Sequence, residues 1–195
     1  MSKLKEIIQK ANQVHQRAIE VKSYALDDGR LIVEGWLKDD RFADGLTWAG
    51  DKRPKGVVHW IGARFLIGGW PITIEAAEAE MRKTPHELCP TTVDTIGRLV
   101  GLRITSGYTD RVGALLGGTE GCIHLSHLVA SMGSAAVHGY WTQHAREKRP
   151  LPGSLDEVQG LAVVIDSCRL WKKDGPLVKG LRERIEGGRR GMSDE

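Results

Sequence analysis

The segment 17–37 constrains the fold more than any other. Arg17-Ala18-Ile19-Glu20-Val21-Lys22 alternates polar with apolar side chains, and Leu31-Ile32-Val33-Glu34-Gly35-Trp36-Leu37 is dense in strand formers. Between them Asp27-Asp28-Gly29 is a turn sequence in which glycine accepts positive φ. These features predict a β-hairpin. The signal recurs downstream, where Val57 to Ile67 and Ile72 to Met81 read as two strands joined through Gly68-Gly69-Trp70-Pro71.

Flanking segments read differently. Leu4, Ile7, Ile8 and Ala11 recur at helical spacing over residues 3–12. Residues 39–55 are polar and Gly-rich, with isolated Phe42 and Trp48, and predict a long loop able to act as a lid. Beyond Pro85 and Pro90, Thr91 or Thr92 is expected to cap a helix ending near Leu99, with Asp94 in its first turn. Thr109-Asp110 opens a short helix that stops at Gly117-Gly118. A long helix is expected from about Cys122 to Glu147, its apolar face carrying Leu125, Leu128, Val129, Met132, Ala135, Ala136 and Tyr140. Leu161 to Ile165 fits a buried strand or a helix end, and residues 177–186 fit an amphipathic helix. Two hairpins followed by helices predict an α+β fold, an antiparallel sheet of two hairpins with helices packed on one face. The expected organisation is a helical extension over 1–14, one domain over 15–186 and a flexible tail over 187–195.

Composition narrows the setting. With 41% hydrophobic and 27% charged residues the chain suits a globular domain, and no run of eighteen apolar residues offers a membrane span. Met1-Ser2-Lys3-Leu4-Lys5-Glu6 lacks the apolar stretch of a signal peptide, so a cytoplasmic location is expected. Net charge is +3 and the only basic clusters are short, at Lys172-Lys173 and Arg182 to Arg190, so no nucleic-acid partner is expected. Three widely spaced cysteines read as free thiols or metal ligands.

Thiols and imidazoles concentrate at Gly121-Cys122-Ile123-His124-Leu125-Ser126-His127. Inside a helix, side chains two apart diverge, but at an N-terminus Cys122 and His124 can turn to one ion, and the helix end favours a thiolate. Cys122 as a small buried hydrophobe and His124 as a hydrogen-bonded core residue fit the same pattern. His59, alternating with Val57 and Ile61, and Cys89, held before Pro90, offer distant donors. His59, Cys89, Cys122 and His124 together would make a Cys₂His₂ set suited to zinc or iron, with Cys168 and His127 in reserve. Glu78 is a candidate general base near His59, and Trp36, Trp48, Trp60 and Trp70 could line a pocket for a flat ligand. No Walker loop and no Gly-x-Ser-x-Gly elbow is present.

Several blocks, in order, resemble the bacterial domain-of-unknown-function family 2889. They are His15-Gln16-Arg17, Asp27 to Leu31, His59, Pro85 with Cys89, Leu99 to Ile104, Leu116 to Leu125, Asp166-Ser167-Cys168 and Asp174-Gly175-Pro176. The likeness spans about residues 15–180 and centres on Gly121 to Leu125. His127 departs from the pattern, which leads one to expect an acidic residue there. A second likeness, of layout alone, is to the U-type iron–sulfur scaffold proteins. That resemblance implies His59, Cys89 and Cys122 as ligands in chain order, although His59 stands in place of a cysteine. The expected function is therefore a metal-binding protein, one zinc or iron ion per chain, acting as a small lyase or hydrolase on a small organic metabolite, aromatic ones included. The alternative is a non-enzymatic metal or iron–sulfur carrier. A small-molecule ligand and a second copy of the chain are the expected partners.

Overall fold

The first hairpin forms where alternation and turn chemistry agree. Strand β1 (His15–Ala25) pairs antiparallel with β2 (Leu31–Arg41) without a register break, and Gly29 in the turn adopts φ 84°. After a small two-stranded ribbon, β3 (Gly45–Leu46) with β4 (Lys52–Arg53), come β5 (Gly56–Gly68) and β6 (Thr73–Lys83). The four long strands form one antiparallel sheet in the order β1-β2-β5-β6. The computed structural model describes residues 2–146, 150, 152–158 and 160–192.

Strand β2 alternates buried and half-buried side chains from Leu31 to Asp40, because helices cover only one face of the sheet. Leu31, Val33 and Leu37 from β2 meet Ile61, Ala63, Phe65 and Ile67 from β5 beneath helix α3 (Ile123–His144). Leu125, Leu128, Val129, Met132 and Ala136 close this core from above. Gly35 sets the helix height: a Cβ there would come within 2.8 Å of Met132 Cγ and 2.7 Å of its sulfur. Helix α2 (Tyr108–Leu116) packs beside α3, and the buried Tyr108 hydroxyl donates to the Val129 carbonyl at 3.1 Å. Helix α1 (Lys3–Ile8) buries no side chain.

Among the described residues no helix covers the opposite sheet face. Arg64 bridges Glu34, Glu78 and Glu80, and Arg82 lies over the rings of Trp36 and Trp60 at 4.2 and 5.0 Å. The α+β fold with helices on one face is therefore as expected. Among the described residues no helix is long and apolar enough to cross a membrane.

Local expectations differ from the structure at five places. Strand β2 continues through Arg41, so Asp39 and Asp40 belong to the sheet rather than to a loop starting at 39. The remaining loop folds on itself as β3–β4, and Trp48 at its tip is fully exposed, covering nothing among the described residues. Cys89–Leu99 is a 3₁₀ helix rather than a helix capped by threonine. The Thr91 and Thr92 hydroxyls donate back to the Leu88 and Cys89 carbonyls, three residues earlier, and do not cap amides. The long helix ends at His144, and its expected last residue, Glu147, lies outside the described residues. The final helix α5 spans Pro176–Met192, passing through Gly187, whereas Leu161–Val164, the single helical turn α4, takes the helical of its two expected readings.

Candidate metal centre

The parity of β2 that buries Leu37 also buries Asp39, which is 2% exposed. A carboxylate removed from water needs partners, and the neighbouring strands supply them at the same level. In register, Asp39 faces Arg17 on β1 and His59 on β5. Arg17 grips the carboxylate with both arms, Nε to Oδ1 and Nη2 to Oδ2, each at 2.7 Å. His59 Nδ1 lies 2.8 Å from Oδ2. His15, at the start of β1, brings Nε2 to 3.6 Å from Oδ1. A register shift between Asp39 and Asp40 interrupts the β2–β5 ladder immediately beyond, and pairing resumes with Asp40 opposite Val57.

Charge and hydrogen bonding fix the protonation pattern. The Arg17 hydrogen bonds hold the Asp39 carboxyl down at about 2 against burial, and the His59 bond acts in the same direction. An ionised carboxylate only accepts, so His59 Nδ1 carries its proton and donates it. The lone pair of His59 is thereby left on Nε2. Helix α3 then delivers His124 in its first turn, with its ring stacked on that of His59 at 3.8 Å between centroids and 29° between planes. Burial, followed by the nearby His59 and Arg17, lowers the His124 pKa and favours a neutral imidazole. One donor atom each from Asp39, His59 and His124 lies within 4.8 Å of the others.

His59 and His124, expected as ligands, are thus face to face. Cys122 is the N-cap of α3, with extended backbone at φ −113° and ψ 122°, half-buried against the core. Cys89 opens the 3₁₀ helix and is half-buried. Neither thiol belongs to the compact donor group. His127 is exposed one turn along α3, and Cys168 is exposed. Glu78 is no partner of His59, because it faces Arg64 and pairs with it at 3.2 Å. Trp36 and Trp60 sit on the helix-free face, away from this cluster. Asp39 is the residue that sequence reasoning missed. The signal was present, since Leu31, Val33, Gly35 and Leu37 continued by two gives Asp39 on the buried face.

An antiparallel sheet under one long helix, with a buried aspartate orienting one imidazole beside another, defines an α+β protein with a histidine–carboxylate site. Residues 15–138 match the family described as Protein of unknown function (DUF2889), and the chain belongs to that family. No curated protein and no solved structure matches the chain, so the U-type layout likeness gains no support from them.

Proposed function

We propose that this protein binds one transition-metal ion, zinc or iron, through His59 Nε2 and His124. The observation that carries the reading is the Asp39–His59 hydrogen bond, which leaves a lone pair on Nε2 beside a second, neutral imidazole. Asp39, already forked by Arg17, serves as the carboxylate that orients and strengthens a metal-ligating histidine. Cys122, two residues before His124, is the proposed thiolate ligand, and Cys89 the fourth member of the set. Tetrahedral coordination separates donors by about 3.3 Å. Two ring planes only 29° apart do not meet one bond length from both rings, so coordination requires one imidazole to turn out of the stack.

The same arrangement is compatible with enzymatic use. A metal here would polarise a substrate oxygen or acidify a bound water, the chemistry of a small lyase or hydrolase. The chain's own contribution would be to hold His59 in one tautomer, keep Asp39 ionised, and leave His15 at the exposed side of the site. A metal carrier would use the same ligands but release the ion.

Metal analysis of protein purified from defined medium tests the reading. About one ion per chain is expected, lost in His59→Ala and His124→Ala and retained in His138→Ala. A cobalt-substituted sample should show a thiolate charge-transfer band that Cys122→Ser and Cys89→Ser each weaken and Cys168→Ser leaves unchanged. Retention against an apo acceptor supports the enzyme, and rapid transfer supports the carrier. Absence of stoichiometric metal in the parent protein sinks both, leaving the Asp39–His59 pair as a metal-free general base.

A further inference from the structure

Strand β1 is an edge strand eleven residues long, with side chains exposed along nearly its whole length. Natural sheets rarely leave so long an edge open, because its unpaired N–H and C=O groups are a template for another strand. Two bonds at its ends reveal which groups are free. Leu26 N–H donates to the Arg30 carbonyl across the turn, and Phe42 N–H donates to the Val14 carbonyl at the far end. Both β1-side residues are even-numbered, and the β1–β2 register is unbroken between them. Even-numbered residues therefore direct their backbone groups to β2, and odd-numbered ones direct theirs outward. Among the described residues nothing pairs with that outward row.

We infer that two copies of this chain pair through β1, antiparallel, about a two-fold axis at Val21. An isologous contact must be self-complementary, and side-chain charge selects this axis over its neighbours. With Val21 opposite the partner's Val21, Glu20 stands across from the partner's Lys22, and Lys22 from the partner's Glu20. Within one chain these two already lie 3.0 Å apart, so pairing completes a four-charge ring of alternating sign. An axis at Glu20 sets Glu20 against itself, and an axis at Lys22 sets Lys22 against itself. An axis at Ile19 or Ser23 leaves both charges facing neutral residues. Only the Val21 axis joins opposite charges.

Size complementarity agrees. The same register places Tyr24, 47% exposed, over the partner's Ala18 on the helix-free face. On the other face it sets Ile19, 39% exposed, beside the partner's Ser23. Each copy would extend its sheet from four strands to a continuous eight, adding on the order of ten backbone hydrogen bonds. The inference is independent of metal binding.

Sedimentation equilibrium on the full chain and on charge-reversed variants tests it. The parent protein should be a dimer at micromolar concentration. Glu20→Lys and Lys22→Glu should each weaken dimerisation at least on the order of tenfold, because like charges then face each other twice. The double reversal should restore the dimer, which mere loss of the exposed intrachain pair would not do. Circular dichroism confirms that each variant folds. A parent protein monomeric at high micromolar concentration overturns the inference, as do single reversals that leave the dimer unchanged or a double reversal that fails to restore it.

Discussion

Replacing Asp39 by asparagine keeps the side-chain shape and removes the charge that organises the site. Two consequences follow, one in stability and one in tautomer. The Asp39 carboxyl titrates at about 2 in the folded protein against an ordinary 3.8. That difference, at about 1.4 kcal/mol per unit, contributes about 2 kcal/mol to folding. The figure is an upper value, since the Arg17 side chain is one-third exposed and water screens its half of the pair. A depressed folded pKa stabilises above 3.8 and ceases to do so as pH falls toward 2. Urea unfolding of parent and Asp39→Asn at pH 7 should therefore differ by up to about 2 kcal/mol, the gap closing between about pH 5 and pH 2. An asparagine amide can also donate to His59 Nδ1, which moves the imidazole proton to Nε2 and removes the lone pair offered to a metal. Zinc affinity by calorimetry should then fall 10- to 100-fold, as for other carboxylates behind a ligating histidine. A gap independent of pH refutes the electrostatic argument. Unchanged zinc affinity refutes the tautomer argument separately.

Further perturbations test other parts. Burial lowers the His124 pKa, so protonation opposes the fold, and stability should fall as pH drops below the unfolded value of about 6.5. Chemical denaturation of His124→Asn should show less of that loss between pH 7 and 5. Gly35→Ala drives a methyl into Met132 and should cost about 1–3 kcal/mol, read as a lower urea midpoint at unchanged slope. Tyr108→Phe removes the hydroxyl that bonds the Val129 carbonyl and should cost about 1 kcal/mol. Zinc binding should turn one imidazole out of the His59–His124 stack, visible as a change in ring proton shifts by NMR that His138 does not share.

The sheet was legible because both hairpins combine period-two alternation with turn residues that permit little else. The long helix was legible for the same reason, at period 3.6. Its end near His144 was not, since no glycine or proline marks that position. The 89–99 segment misled because threonine hydroxyls serve equally as caps and as donors to carbonyls three residues back. At the candidate site, His59 and His124 were named from chemistry, position and family likeness, and the structure brings their rings together. Asp39 was overlooked because the polar pair Asp39-Asp40 resembles the start of a loop. Local composition cannot show that Arg17 and His59 wait on adjacent strands to make a buried carboxylate affordable.

Strand β2 holds Asp39 on one face and Trp36 on the other, and it is clamped by ladders on both sides. The integrity of the site is consequently a matter of odd and even. A single residue inserted after Arg30 that pushed β2 along by one step would carry Asp39 out to the helix-free face and turn Lys38 or Asp40 toward the core. Every distance along the chain would remain nearly the same, yet the pairing of Arg17, Asp39 and His59 would vanish. A two-residue insertion would keep the parity. That shift would nevertheless move Asp39 from opposite Arg17 to opposite His15, so the site should survive length variation only where the turn itself absorbs it and the β1–β2 register stays unchanged.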